Sequence, residues 1–79
     1  MVGGSDVTTY TVLINPAEEG GYWTEVPALP GCFSQGETIE EALANTREAI
    51  ECHVAALREE GQEVTEDAGL LIGRVTVAA

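Results

Sequence analysis

Between Thr8 and Asn15 the chain alternates. Tyr10, Val12 and Ile14 fall on one side and Thr9, Thr11 and Asn15 on the other, with Leu13 breaking the pattern. β-Branched and aromatic residues at period two predict a half-buried strand. Asn15-Pro-Ala-Glu-Glu-Gly-Gly21 follows; its proline, acids and paired glycines predict a polar hairpin loop. Tyr22 to Val26 predicts a second strand, stopped by Pro27, which lacks the backbone donor that a ladder needs. Pro30-Gly31 suits the centre of a type II turn, because proline presets one φ and glycine accepts the positive one. Cys32 to Gln35 is then a short third strand at an edge. Three strands with short links predict an antiparallel meander.

The period changes after Thr38. Ile39, Leu43, Thr46, Ile50, His53 and Leu57 recur by four and three, forming one stripe of a helix. Ala42, Ala49 and Ala56 lie beside it and allow close approach to a sheet, while Glu40, Glu41, Arg47, Glu48, Glu51, Arg58 and Glu59 fall mostly on the wet side. Thr38 with Glu41 reads as a capping box, Glu40 and Glu41 suit the positive end of the helix dipole, and Gly61 is a natural stop. Glu63 to Gly69 predicts an acidic loop and Leu70 to Val77 a last strand, with Val75 and Val77 sharing a side. A helix between strands three and four is a crossover, so strand four should run parallel to strands three and one. The simplest arrangement is an α+β, β-β-β-α-β domain. Its mixed four-stranded sheet has the order 3-2-1-4, with the helix on one face. Residues 1–7 predict a frayed end and residues 8–79 a single domain. One helix covers one face; the other face, or an edge, is left for a partner.

Length and charge narrow the functions. A chain of 79 residues makes one thin-cored domain, a size class that gains stability by self-association, so at least a dimer is expected. Three arginines, no lysine and fourteen acids give a formal charge of −11. That field repels phosphate backbones, so direct nucleic-acid binding is not expected, and it accelerates encounter with a basic partner. No apolar run approaches the ~20 residues of a membrane span and no leader opens the chain, so neither membrane nor export is expected and cytoplasm is the expected compartment.

Candidate chemistry is sparse. Cys32 and Cys52 are too few for a disulfide scaffold and, with one histidine, make a poor zinc set. Cys52 and His53 are helix neighbours that point about 100° apart, so a Cys–His nucleophile needs the fold to assemble it; His53 sits on the apolar stripe and reads first as a core or interface residue. The strand order is similar to part of a ribonuclease H-like fold, whose metal chemistry needs several converging carboxylates, one usually on the first strand. Thr8 to Asn15 holds no acid; Glu25, Glu48 and Glu51 are the remaining candidates and read as solvated surface. Gly20-Gly21 opens a strand rather than a helix, so it lacks the phosphate-binding helix end. No catalytic residue, metal or other cofactor is implied.

Recognition is better represented. Tyr22 and Trp23 point to opposite faces of one strand, so the helix covers only one of them and the other is exposed or in an interface. Both are favoured interface anchors, and Glu18, Glu19 and Glu25 surround them with negative charge. Tyr22, Trp23 and Glu25, assisted by Glu18 and Glu19, are the candidate partner-binding residues.

One stretch is more specific than all of these. Gly21-Tyr22, Val26-Pro27-Ala28-Leu29-Pro30-Gly31-Cys32, Ser34-Gln35-Gly36-Glu37-Thr38, Glu40-Glu41-Ala42-Leu43, Asn45 and Glu48-Ala49-Ile50, with the first strand Tyr10–Ile14, resemble the HicB family of antitoxin-like domains, the UPF0150 group. The likeness covers residues 8 to 62. It implies a partial ribonuclease H-like β-β-β-α-β fold and a small basic partner, the HicA toxin. That toxin has a double-stranded-RNA-binding-like fold and cleaves messenger RNA, and the antitoxin domain masks its catalytic surface. The family has no shared catalytic residues. Family members usually carry a C-terminal DNA-binding segment; this sequence ends at Ala79, after the last expected strand, so the single-domain form without operator binding is expected. The leading expectation is therefore a non-enzymatic antitoxin domain. An orphan oligomeric domain with no toxin partner and a vestigial metal-dependent nuclease are the alternatives.

Overall fold

The computed structural model describes residues 8–67 and 71–78. The elements run β1 (Leu13–Pro16), β2 (Tyr22–Glu25), β3 (Phe33–Gly36) and α1 (Ile39–Glu59). The strands form an antiparallel meander of order β1-β2-β3, with Ile14 opposite Thr24 and Thr24 opposite Ser34.

β1 is shorter than the alternation suggests, because its partner runs out. After Glu25 the chain leaves the ladder through a tight loop. Val26 N donates to Cys32 O, Leu29 N to Val26 O and Cys32 N to Leu29 O. The last of these closes a turn around Pro30 and Gly31, whose φ of +87° matches the expected type II geometry. Residues 8–12 therefore have no strand beside them. The same loop supplies the core: Val26, Leu29 and Cys32 are buried, and Tyr10, Val12, Ala49, Ile50, Val54 and Leu57 pack around them. Fully burying one such leucine is worth about 2–3 kcal/mol.

α1 begins and ends as its sequence dictates. Thr38 Oγ1 accepts from Glu41 N at 3.0 Å, and Glu41 Oε1 accepts in turn from Glu37 N at 2.6 Å, one residue before the cap itself. At the other end Gly61 takes φ +70°; its N–H donates to Arg58 O and Gln62 N donates to Leu57 O, the paired bonds of a Schellman motif. The inward face centres on the small residues rather than on the long stripe. Ala42 and Thr46 are fully buried, whereas Ile39 and Leu43 stay half exposed. The cause is close approach. A Cβ at Gly36 would lie 2.8 Å from Ala42 Cα, so β3 backbone rests directly on the helix. Across this contact Thr24 and Thr46 hydroxyls meet at 2.6 Å; Thr46 spends its single proton on Ala42 O, so Thr24 is the donor of the pair.

Among the described residues the sheet has three strands, β1-β2-β3, rather than the expected mixed four-stranded 3-2-1-4 arrangement. Residues 71–78 make no ladder, and Leu71, Ile72, Val75 and Val77 are 62–90% exposed. The preceding loop does dock: Tyr10 Oη donates to Thr65 O at 2.8 Å, Thr11 Oγ1 to Asp67 Oδ2, and Thr65 Oγ1 to Ala28 O. Beyond it the segment finds no lateral partner, and a strand without one has no regular hydrogen bonds to gain. Residues 1–7 and 68–70, which include the expected frayed end, the last of the acidic loop and Leu70, lie outside the described residues.

Candidate docking surface

The Thr24–Thr46 bond fixes which side of each strand faces the helix. Since side chains alternate along a strand, Trp23 and Glu25 point to the opposite, uncovered face. Register adds their neighbours. Leu13, Glu25 and Phe33 form one row across the sheet, and Asn15, Trp23 and Gln35 the next. Trp23 is 40% and Phe33 56% exposed, so this face is apolar and open, with Glu25 between Leu13 and Phe33.

Trp23 also borders a cleft of about 700 Å³ beside the β1–β2 loop. Four carboxylates line it: Glu18 and Glu19 from the loop, Glu37 from the strand–helix junction and Glu41 from the first helical turn. Tyr22 and Asn45 also line it, and Asn45 Nδ2 donates to Gln35 O at 2.8 Å and ties helix to β3. The loop owes its shape to two glycines with positive φ, Gly20 at +105° and Gly21 at +77°. Gly21 has a second reason: a Cβ there would meet Gly36 O at 2.8 Å.

Four of the five expected contact residues, Glu18, Glu19, Tyr22 and Trp23, thus share one cleft. Glu25 does not join them; its odd position puts it on the outer face, two residues along the strand from Trp23. Glu37 and Glu41 were the residues hidden from sequence reasoning. Glu41 reads as a capping-box acid and Glu37 only as part of the family motif, and only the fold swings the helix N-terminus against the hairpin. Phe33 stands out in the sequence as an aromatic, but its place on the open face follows from register alone.

The other candidates come apart or stay inert. Glu25 is on the sheet face away from α1, where Glu48 and Glu51 are exposed, so the sheet separates them. Among the described residues no three His, Cys, Asp or Glu side chains converge to hold a metal ion. Cys32, Cys52 and His53 do line one shallow depression with Phe33. Burial pushes the Cys32 thiol up from its ordinary pKa, which opposes the thiolate a nucleophile needs. Among the described residues no helix is long and apolar enough to cross a membrane.

Residues 10–72 match the family model described as HicB_like antitoxin of bacterial toxin-antitoxin system. A UPF0150 protein of Thermoplasma acidophilum is 47% identical over 58 residues, 73% of this chain and 84% of that protein. One from Synechocystis is 44% identical over 61 residues, 77% of each chain. The crystal structure of the Burkholderia pseudomallei antitoxin HicB superposes with a TM-score of 0.63 at 42% identity, over 70% of this chain and 42% of that one. The motif around Pro27–Cys32, the meander-plus-helix architecture and these likenesses converge: the chain belongs to the HicB-like antitoxin family.

Proposed function

We propose that this domain is a non-enzymatic antitoxin module that binds a small basic toxin of the HicA type and masks its messenger-RNA-cleaving surface. The observation that carries the reading is the acidic cleft: four carboxylates gathered around Tyr22 and Trp23 in a chain of net charge −11. Aromatic anchors supply buried area, and the surrounding acids steer a cationic partner into place. Trp23 joins the cleft to the open sheet face, so Glu25 and Phe33 extend the same footprint. The work is done in the cytoplasm and requires no cofactor. Copies of the chain associate, and residues 71–78 add the fourth strand that completes a partial ribonuclease H-like sheet. The alternative, an orphan oligomeric domain, draws support from relatives that carry only the UPF0150 designation. The direct test asks whether the neighbouring reading frame encodes a small basic protein, its absence favouring the orphan alternative, and then follows association with that protein by stopped flow at low and high salt. Association should slow by tenfold or more as salt rises, and a Glu18→Lys, Glu19→Lys double variant should lose that acceleration. An association rate indifferent to salt and to the variant would overturn the reading. Cleavage of RNA by the purified domain with Mg²⁺ or Mn²⁺, lost in Glu25→Gln, would instead establish the nuclease alternative.

A further inference from the structure

A second concavity, of about 780 Å³, lies on the other flank of α1. Residues 8–12, the stretch left without a strand partner, form one wall, and α1 from Leu43 to Arg58 forms the other. Its apolar lining comes from Tyr10, Val12, Leu43, Ile50 and Val54. It lies beside residues 8–12, the run that leads into β1, where a fourth strand would fit, and in the single chain it is open.

The chain also carries a segment that matches it. Residues 71–78 (Leu-Ile-Gly-Arg-Val-Thr-Val-Ala) are exposed, and Leu71, Val75 and Val77 share one side at period two. The helix wall from Leu43 to Arg58 is roughly 22 Å long at ~1.5 Å per residue, and seven residues of strand span about 23 Å. Charge fits as well. Fourteen acids make two copies repel, yet none lies in 71–78, whose one ionised side chain is Arg74. The groove holds two of the three arginines, Arg47 and Arg58, balanced by Glu51 and Glu66. The contact would therefore join an acid-free tail carrying one arginine to a groove whose charges balance.

We infer that residues 71–78 of one copy fill the groove between residues 8–12 and α1 of a second copy, adding a strand beside β1, and that the exchange is reciprocal. It rests on the reading that copies associate and specifies how. In the chain described here the segment stands clear of its own body although its preceding loop is pinned at Thr65 and Asp67. Exchange buries each tail and each groove at once, on the order of 2,000 Å² in total, which is the size of a stable specific interface. It also covers the unpaired edge that would otherwise invite open-ended association.

The test uses the full chain without any toxin. In a Cys52→Ser background, one variant carries Val77→Cys and another Leu43→Cys. The two are mixed, equilibrated and joined with a short bismaleimide. A covalent heterodimer, a light-scattering mass twice the 8.3 kDa chain, and amide-exchange protection of 71–78 are expected. Val75→Asp should weaken dimerisation at least tenfold while leaving the circular dichroism of α1 intact. A monomeric mass overturns the inference. So does a dimer whose tails exchange freely, which would leave association standing but place it elsewhere. A double variant that cross-links only within one chain would show the tail folding into its own groove and would equally overturn it. Raising salt should tighten this contact by screening like charges, opposite to its effect on toxin association, so the two readings fail separately.

Discussion

Two apolar stretches of this chain have opposite fates. Val26–Cys32 carries two prolines and a glycine and forms no regular element, yet it holds the buried centre of the molecule. Residues 71–78 read as a strand and are almost wholly exposed. Hydrophobicity does not separate them. Closure does: the first stretch satisfies its own backbone through the Val26, Leu29 and Cys32 bonds and offers its side chains to α1, whereas the second needs a lateral partner before either its backbone or its side chains gain anything.

This contrast can be broken most severely at the close approach that seats the helix. Gly36→Ala forces a Cβ into Ala42, and should leave the domain largely unfolded by circular dichroism at room temperature. Leu29→Ala should cost about 3 kcal/mol in urea melts, from lost transfer energy and a cavity in a core too thin to collapse around it. Thr46→Ala removes the acceptor of the buried Thr24 hydroxyl and should cost about 1–3 kcal/mol, whereas Thr24→Ala combined with it should recover part of that loss. Thr38→Ala, removing the cap, should cost about 1 kcal/mol. In the tail, Val75→Asn should change unfolding by no more than about 0.5 kcal/mol at concentrations too low for association, and should matter only as dimers form. A large penalty in the dilute monomer would erase the contrast.

The pH dependence sharpens it from the core side. Burial raises the Cys32 thiol, and Tyr10 is raised by burial and by Glu66 and Asp67, against an opposing Arg58. Both groups ionise more easily in the unfolded chain. Their contribution is full below the ordinary thiol and phenol values, about 8.5 and 10, and is lost as pH climbs through the raised folded values. Stability measured by urea melts should therefore fall above about pH 8.5, and the fall beyond pH 10 should shrink in Tyr10→Phe, which cannot donate to Thr65 O.

Reading the residues in order recovers much of this. The cap at Thr38, the stop at Gly61, the type II turn at Pro30-Gly31 and the meander are each governed by neighbours within a few positions. The cleft was half legible, because Glu18, Glu19, Tyr22 and Trp23 are close in sequence. Glu37 and Glu41 were not, because their distance from the hairpin is set by how α1 lies on β3. The expected fourth strand forms no ladder among the described residues for the same reason: alternation at Val75 and Val77 signals willingness to pair, not the whereabouts of a partner.

The linear order of residues was enough to decide where the helix starts and stops, where the chain turns, how negative the surface is and which family motif it bears. These rest on local dihedral preferences, short-range hydrogen bonds and summed charge. Tertiary structure alone decided that small residues rather than the long stripe seat the helix, that Trp23 joins four carboxylates at one cleft, and that a groove lies open between residues 8–12 and α1. Such facts depend on contacts between residues far apart in the chain, whose distances no local preference encodes.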